Sequence, residues 1–187
     1  MEQRNSGKET ILTAVFTVLI FVGVHVLRIP WPLSEEKEFI HLGYVVTALA
    51  LMNVDMVKGW LAALIAFILS SVLDRDFGAI VGILVYLTIS SLATASVYGF
   101  WMDRDELTTK VVRKIQAKTI LMYGALVFLS NRAWTSWSLM NSGTKVAAAA
   151  AKSILSAGPI LANAGITILL TAILVVPVSA LCKRILK

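Results

Sequence analysis

Apolar and polar residues are arranged in long blocks along this chain, with no short alternating period. Residues 11–27, 39–52, 60–73, 79–101, 119–137 and 160–182 are each dominated by apolar side chains, and polar segments separate them. Blocks of this kind predict helices that cross a bilayer, since about 20 apolar residues at a rise of about 1.5 Å each span ~30 Å of hydrocarbon. The run at 79–101 meets that length, and 11–27 is close to the minimum. The runs at 39–52 and 60–73 are short, and flanking residues or packing in a bundle must make up the difference. The pattern therefore predicts an all-α integral membrane protein with a single domain of six transmembrane helices over residues 1–187. Residues 102–118 predict an amphipathic helix on the membrane surface, and the alanine-rich 146–153 predicts a second interfacial helix.

Composition strengthens this reading. Charged residues make up 15% of the chain and hydrophobic ones 58%, whereas an ordinary soluble domain carries about 25% charged residues. The net charge of +6 does not point to nucleic acid, because the basic residues lie between the apolar runs. Their distribution sets an orientation. One side collects Arg4, Lys8, Lys58, Arg104, Lys110, Arg113, Lys114, Lys118, Lys183, Arg184 and Lys187, and the other Arg28, Lys37, Arg75, Arg132, Lys145 and Lys152. The richer side is cytoplasmic by this rule, and with six spans it holds both termini. No small-residue cleavage site follows residues 11–27, so the first span reads as retained. Cys182 stands alone, which excludes a disulfide framework.

Two helices carry small residues in close-packing register: Ala62, Ala66 and Ser70 beside Gly59 and Ala63, and Ser91, Ala95 and Gly99. In lipid such ridges let helices approach closely. Pro177 reads as a kink or stop near the end of the last span, and Trp31 and Trp101 as belt or loop residues.

Candidate chemistry centres on Asn131 and Arg132, within the fifth run. An arginine at the centre of a span costs about 2.5–3.5 kcal/mol on insertion scales, so it needs a partner, a wet cavity or a ligand. Thr135 and Ser138 follow Asn131 at helical spacing, with Trp134 and Trp137 beside them. Arg132 lies in the outer third of its span, at the depth expected for Tyr86 and Asn163. It pairs either with a ligand carboxylate or with Asp74 or Asp76, while Asp76 also suits a helix cap. Catalysis has little support. His25, which reads as an interfacial histidine, and His41 stand on different elements. No zinc, P-loop or nucleophile-elbow motif is present, and no carboxylate pair sits within a span. No metal or cofactor is expected.

Three stretches resemble the substrate-binding S components of energy-coupling factor (ECF) vitamin transporters. IPWPLSEEKEFIHLGYVVTALAL resembles the family's first outer loop and its apolar-His-Leu-Gly entry to the second span, which includes His41. DMVKGWLAALIAFILSSVLD resembles its small-residue third span, and GPILANAGITILLTAILVVPVSALCKRI its last span, with Asn163 near the outer end. Two departures stand out. The third span is poorer in glycine than is usual, and the family's Ala-x-x-x-Ala docking motif in the first span has only Thr10, Ala14 and Val18 here.

The resemblance implies an outward pocket closed by the first loop, with Arg132, Asn131, Asn163, Tyr86, Trp134, Thr135 and His41 as candidate ligand contacts. It further implies docking through Thr10, Ala14, Ala62 and Ala66 to an ECF transmembrane scaffold subunit that carries two ATPase subunits. The chain itself is then not an enzyme. A guanidinium beside hydroxyl and amide groups leads to pantothenate as the expected cargo, with pyridoxine or a hydroxymethylpyrimidine as the alternative. A structural or assembly membrane protein is the competing reading from another class.

Overall fold

A computed structural model describes residues 6–30, 39–102 and 108–186. Trp31, Pro32 and Lys37 of the first loop lie outside the described residues, as do Arg4, Asp103, Arg104, Asp105, Glu106 and Lys187. The chain is mostly helical. Helix α1 (Ser6–Phe21) runs into a wider π-helical turn (Val22–Val26), followed by a two-stranded hairpin of β1 (Arg28–Pro30) and β2 (Phe39–His41). Helices α2 (Gly43–Asn53), α3 (Met56–Leu73), α4 (Phe77–Met102), α5 (Thr109–Asn141), α6 (Val146–Leu155) and α7 (Gly158–Leu186) complete it.

Among the described residues, four helical segments are long and apolar enough to cross a membrane: Gly7–Val26, Met56–Leu73, Phe77–Met102 and Gly158–Leu186. Their outward faces carry exposed apolar side chains, such as Ile11, Val18, Ile65, Ile89, Leu169 and Ile173. A helical protein with such faces is membrane-embedded.

Several boundaries differ from the sequence pattern, each for a local reason. The run at 39–52 is not one helix. Its first residues form β2, antiparallel to β1 with Ile29 opposite Ile40, so only Gly43–Asn53 remains for α2. Pro30 ends the partner strand, and Phe39 and Ile40 suit a half-buried pleat better than a helix. Helix α3 begins four residues before the apolar run at 60–73 because Asp55 caps it, accepting from the amides of Val57 (3.0 Å) and Lys58 (3.4 Å). Of the expected surface helix of 102–118, the described residues form no separate element. From Thr109 onward it is the first three turns of α5, capped by Thr108. Pro177 does not stop α7, which continues to Leu186. Ala147–Ala151 do form a short helix, which packs on α5.

Helix α3 packs against α1, α2 and α4, while α5 and α7 close the other side and α7 also lies along α2. Ala62 and Ala66 are fully buried at the centre of this arrangement. Their small side chains hold α3 against its neighbours within the chain, which removes them from any docking surface. Thr10 and Ala14 are exposed on α1. The tightest crossing joins the π-turn to the start of α2, where the Leu42 amide donates to the Gly23 carbonyl at 3.0 Å. A Cβ on Gly23 would come within 3.0 Å of the Gly43 amide nitrogen, so this approach of two backbones requires glycine. At the other end, buried Glu9 on α1 accepts from Lys58 Nζ (2.8 Å) and the Asp55 amide (3.2 Å). That contact ties α1 to the α2–α3 turn.

Candidate functional site

The hairpin is the element that organises one end of the bundle. Two clamps hold it. Asn163, in the second turn of α7 and 3% exposed, accepts the His41 amide hydrogen at 2.8 Å and donates to the Phe39 carbonyl at 2.9 Å. Residues two apart on a strand present their peptide groups to the same side, so one carboxamide serves both, as a neighbouring strand would. On the other side, Arg28 of β1 makes a two-point pair with Asp74 at the end of α3, at 2.6 and 3.0 Å. Its guanidinium also lies 4.7 Å from the centre of the Phe39 ring. The hydrogen bonds from Arg28 hold the Asp74 carboxyl below the usual carboxylate range.

Between these clamps lies a cavity of about 150 Å³, lined by Val24, Arg28, Phe39, His41, Phe67, Ser70, Ser71, Asp74, Ile83 and Tyr86. The His41 ring packs between Tyr44 (4.8 Å between centroids) and Phe67 (5.7 Å). Its Nδ1 is buried without a hydrogen-bond partner. Burial first, and the charge of Arg28 second, lower the His41 pKa to about 4, so the ring is neutral at pH 7 and Nδ1 can accept or donate according to tautomer. The Tyr44 hydroxyl donates to that of Tyr86 at 3.1 Å. His25 lies at the back of the same end, with Nδ1 3.3 Å from Ser70 Oγ and 3.6 Å from Asp74. Ser70 in the cavity wall thus has an imidazole nitrogen within hydrogen-bond reach, although that one nitrogen faces both Ser70 and Asp74. Among the described residues no group of His, Cys, Asp and Glu side chains is placed to hold a metal ion.

Of the residues singled out from sequence, His41, Tyr86 and Asn163 come together here. Asn131 and Arg132 are not in the cavity lining, although the Arg132 charge reaches Tyr44 beside it. Arg132 Nη1 donates to the carbonyls of Ser153 (2.7 Å) and Ser156 (3.1 Å), and Nη2 to the Asn131 side chain. Ser153 Oγ donates in return to the Arg132 carbonyl at 3.0 Å. The guanidinium thus caps the C-terminal end of α6, where unpaired carbonyls and the helix dipole favour a cation. Arg132 does not pair with Asp74, whose partner is Arg28. Asp76 does cap a helix, accepting from the Ala79 amide at 3.1 Å. Thr135 donates to the Asn131 carbonyl one turn back. Trp134 packs with Trp137 (4.9 Å) and covers Gly82 of α4, where any Cβ would run into its indole. It is an α4–α5 packing residue.

Sequence reasoning missed Arg28, Tyr44 and Phe67. Arg28 was legible only as one loop cation among several, and its pairing with Asp74 is 46 positions away. Compared with family models, with curated proteins and with solved structures, the chain finds no match in any of the three.

Proposed function

We propose that this chain is a membrane-embedded binding subunit for a small vitamin, of the ECF S-component kind, with six spans and both termini in the cytoplasm of a prokaryotic cell. In that reading α2 and the apolar part of α5 join the four longer helices as spans, and the hairpin end faces outward. The observation that carries it is the small cavity under a doubly clamped hairpin, where neutral His41, Tyr86 and two serines share the lining with the Arg28–Asp74 pair. Membrane-depth polar groups of this kind mark ligand or solute sites. The three sequence stretches that resemble S components supply the partner expectation: a transmembrane scaffold subunit with two ATPase subunits, which do the ATP-driven work. The exposed face of α1 around Thr10 and Ala14 is compatible with that docking.

Two cargo readings follow from different residues. Pantothenate rests on Arg132 as a carboxylate anchor, and such a ligand has to displace the α6 carbonyls from the guanidinium. A flat heteroaromatic cargo, pyridoxine or a hydroxymethylpyrimidine, is favoured by the ring-lined cavity. Its volume of about 150 Å³ is below the ~300–1,000 Å³ usual for ligand pockets. We take the heteroaromatic cargo as the better fit.

Equilibrium binding of labelled pyridoxine, hydroxymethylpyrimidine and pantothenate to purified protein tests both. The heteroaromatic reading expects binding that survives Arg132→Ala and falls at least tenfold in His41→Ala, whereas the pantothenate reading expects loss in Arg132→Ala. Absence of binding by all three sinks the cargo assignment. Copurification of an ATPase pair with a scaffold subunit tests the larger reading, and a different stable partner would favour a structural or assembly role.

A further inference from the structure

Helices α5 and α7 run antiparallel, and the seam between them changes character along its length. Toward the hairpin it is shut: a Cβ on Gly124 would come within 2.7 Å of the Ile168 side chain and 3.5 Å of the Ala164 carbonyl oxygen. About two turns nearer the start of α5 the seam opens into a groove of about 320 Å³. Arg113, Gln116, Ala117 and Ile120 of α5 line it with Ala172 and Val176 of α7. Small side chains at Ala117 and Ala172 leave the space. Ala172 and Val176 are exposed, and both lie in the apolar run of a helix long enough to cross a membrane. That wall of the groove therefore meets lipid.

The mouth of the groove is cationic. Lys110, Arg113 and Lys114 line an adjoining hollow with Thr109 and Ala117, so Arg113 and Ala117 belong to both. All three cations are exposed, and none makes an ion pair among the described residues. Neither α5 nor α7 contains an acidic residue. Lys110 stands in the first turn, where the helix dipole already supplies positive charge, and at three- and four-residue spacing it repels Arg113 and Lys114. An anion seated there would offset both effects. Gln116, 7% exposed, adds a carboxamide between the cations and the apolar walls. Positive charge at one end and apolar walls below match an amphiphile with an anionic head. A soluble anion would leave the groove empty, and a neutral lipid would leave the cations without a partner. Basic pockets between membrane helices are where anionic lipid headgroups bind.

We propose that the α5–α7 groove seats one anionic phospholipid. Its phosphate lies against Arg113, with Lys110 and Lys114 beside it, and an acyl chain runs along Ala117, Ile120, Ala172 and Val176 toward the Gly124–Ile168 contact. The seat needs a bilayer around α7 and no particular cargo, so it stands or falls apart from the vitamin-binding reading.

Native mass spectrometry of the full chain in neutral detergent, with added phosphatidylglycerol or phosphatidylcholine of the same acyl chains, tests this. The phosphatidylglycerol adduct is expected to be about tenfold more populated, and Arg113→Gln/Lys114→Gln is expected to lower it about tenfold. Lys145→Gln/Lys152→Gln, which removes the same charge from exposed positions at α6, should leave it unchanged. Ala172→Phe fills the groove from an exposed position with the cations intact, and should also lower the adduct about tenfold. Equal binding of the two lipids overturns the proposal. So does a loss in the α6 control equal to that in the α5 variant, since overall charge would then be the cause. An adduct that survives Ala172→Phe overturns it as well, because the lipid is then held by its head alone. Glycerol phosphate, the headgroup without chains, should not displace the lipid; displacement at equal concentration overturns the proposal in favour of a soluble anion.

Discussion

Replacing Asn163 with alanine should release the hairpin without unfolding the bundle. The carboxamide makes two neutral hydrogen bonds to β2, one accepted from His41 N–H and one donated to Phe39 C=O. Each such bond contributes about 0.5–1.5 kcal/mol net, and more when the abandoned backbone group stays buried. Two bonds to a half-buried strand therefore amount to about 2 kcal/mol of local stability. Because 1.4 kcal/mol is a factor of ten in an equilibrium, opening of β2 should become about 30-fold more frequent. Amide exchange followed by NMR in detergent reads this directly. His41 should exchange about 30-fold faster in Asn163→Ala, while buried amides of α4 around Ser90 keep their parent rates. Asn163→Asp keeps the acceptor for His41 but faces the Phe39 carbonyl without a donor, so it should lie between the two. An Asn163→Ala protein whose His41 amide exchanges within threefold of the parent would refute the clamp. Equal acceleration throughout the bundle would instead assign Asn163 to global packing.

Four further outcomes follow from the same geometry. The lowered His41 pKa means that the unfolded chain binds the extra proton first as pH falls. Stability from neutral His41 is thus complete above about pH 6.5 and is lost as pH falls toward 4, by at most about 3 kcal/mol, and the decline should be absent from thermal melts of His41→Phe. Asp74 has the same sign in a lower window: its contribution is present above the ordinary carboxylate value and disappears as pH falls through its depressed folded value. The pair is partly exposed, so Asp74→Asn should cost no more than about 1 kcal/mol and should remove the acid step below that of His41. Gly82→Val drives a side chain into the Trp134 indole and should cost about 1–3 kcal/mol, with most of the loss recovered in a Trp134→Ala background; independent, additive effects would place the two residues apart. Arg132→Leu removes charge-assisted bonds to the end of α6, worth about 1.5–3 kcal/mol, so amides of α6 should exchange faster while β2 is unaffected. Unchanged exchange in α6 would leave Arg132 available for another role.

The helical membrane architecture is written in the sequence, because crossing hydrocarbon demands long apolar runs that no tertiary contact can replace. The runs at 79–101 and 160–182 reappear as α4 and α7 for that reason, and the Asp76 cap was legible because a cap bonds only its own next turn. Boundaries set by a single polar residue were less visible, as at Asp55, which starts α3 ahead of its apolar stretch. The strand at 39–41 could not be read from composition. An apolar triplet next to a helix takes the form its partner dictates, and here the partners are Arg28–Pro30 and the side chain of Asn163, more than 120 positions away. Arg132 shows the same limit from the other side. The sequence marks it as a costly charge that must be satisfied, but only the tertiary structure decides by what, since the last turn of α6 and a ligand carboxylate offer a guanidinium the same oxygen chemistry. What the sequence determined alone is the set of residues that have to find partners in a low-dielectric interior. The fold decided which partners they found, because hydrogen bonds between elements depend on distances that no local pattern encodes.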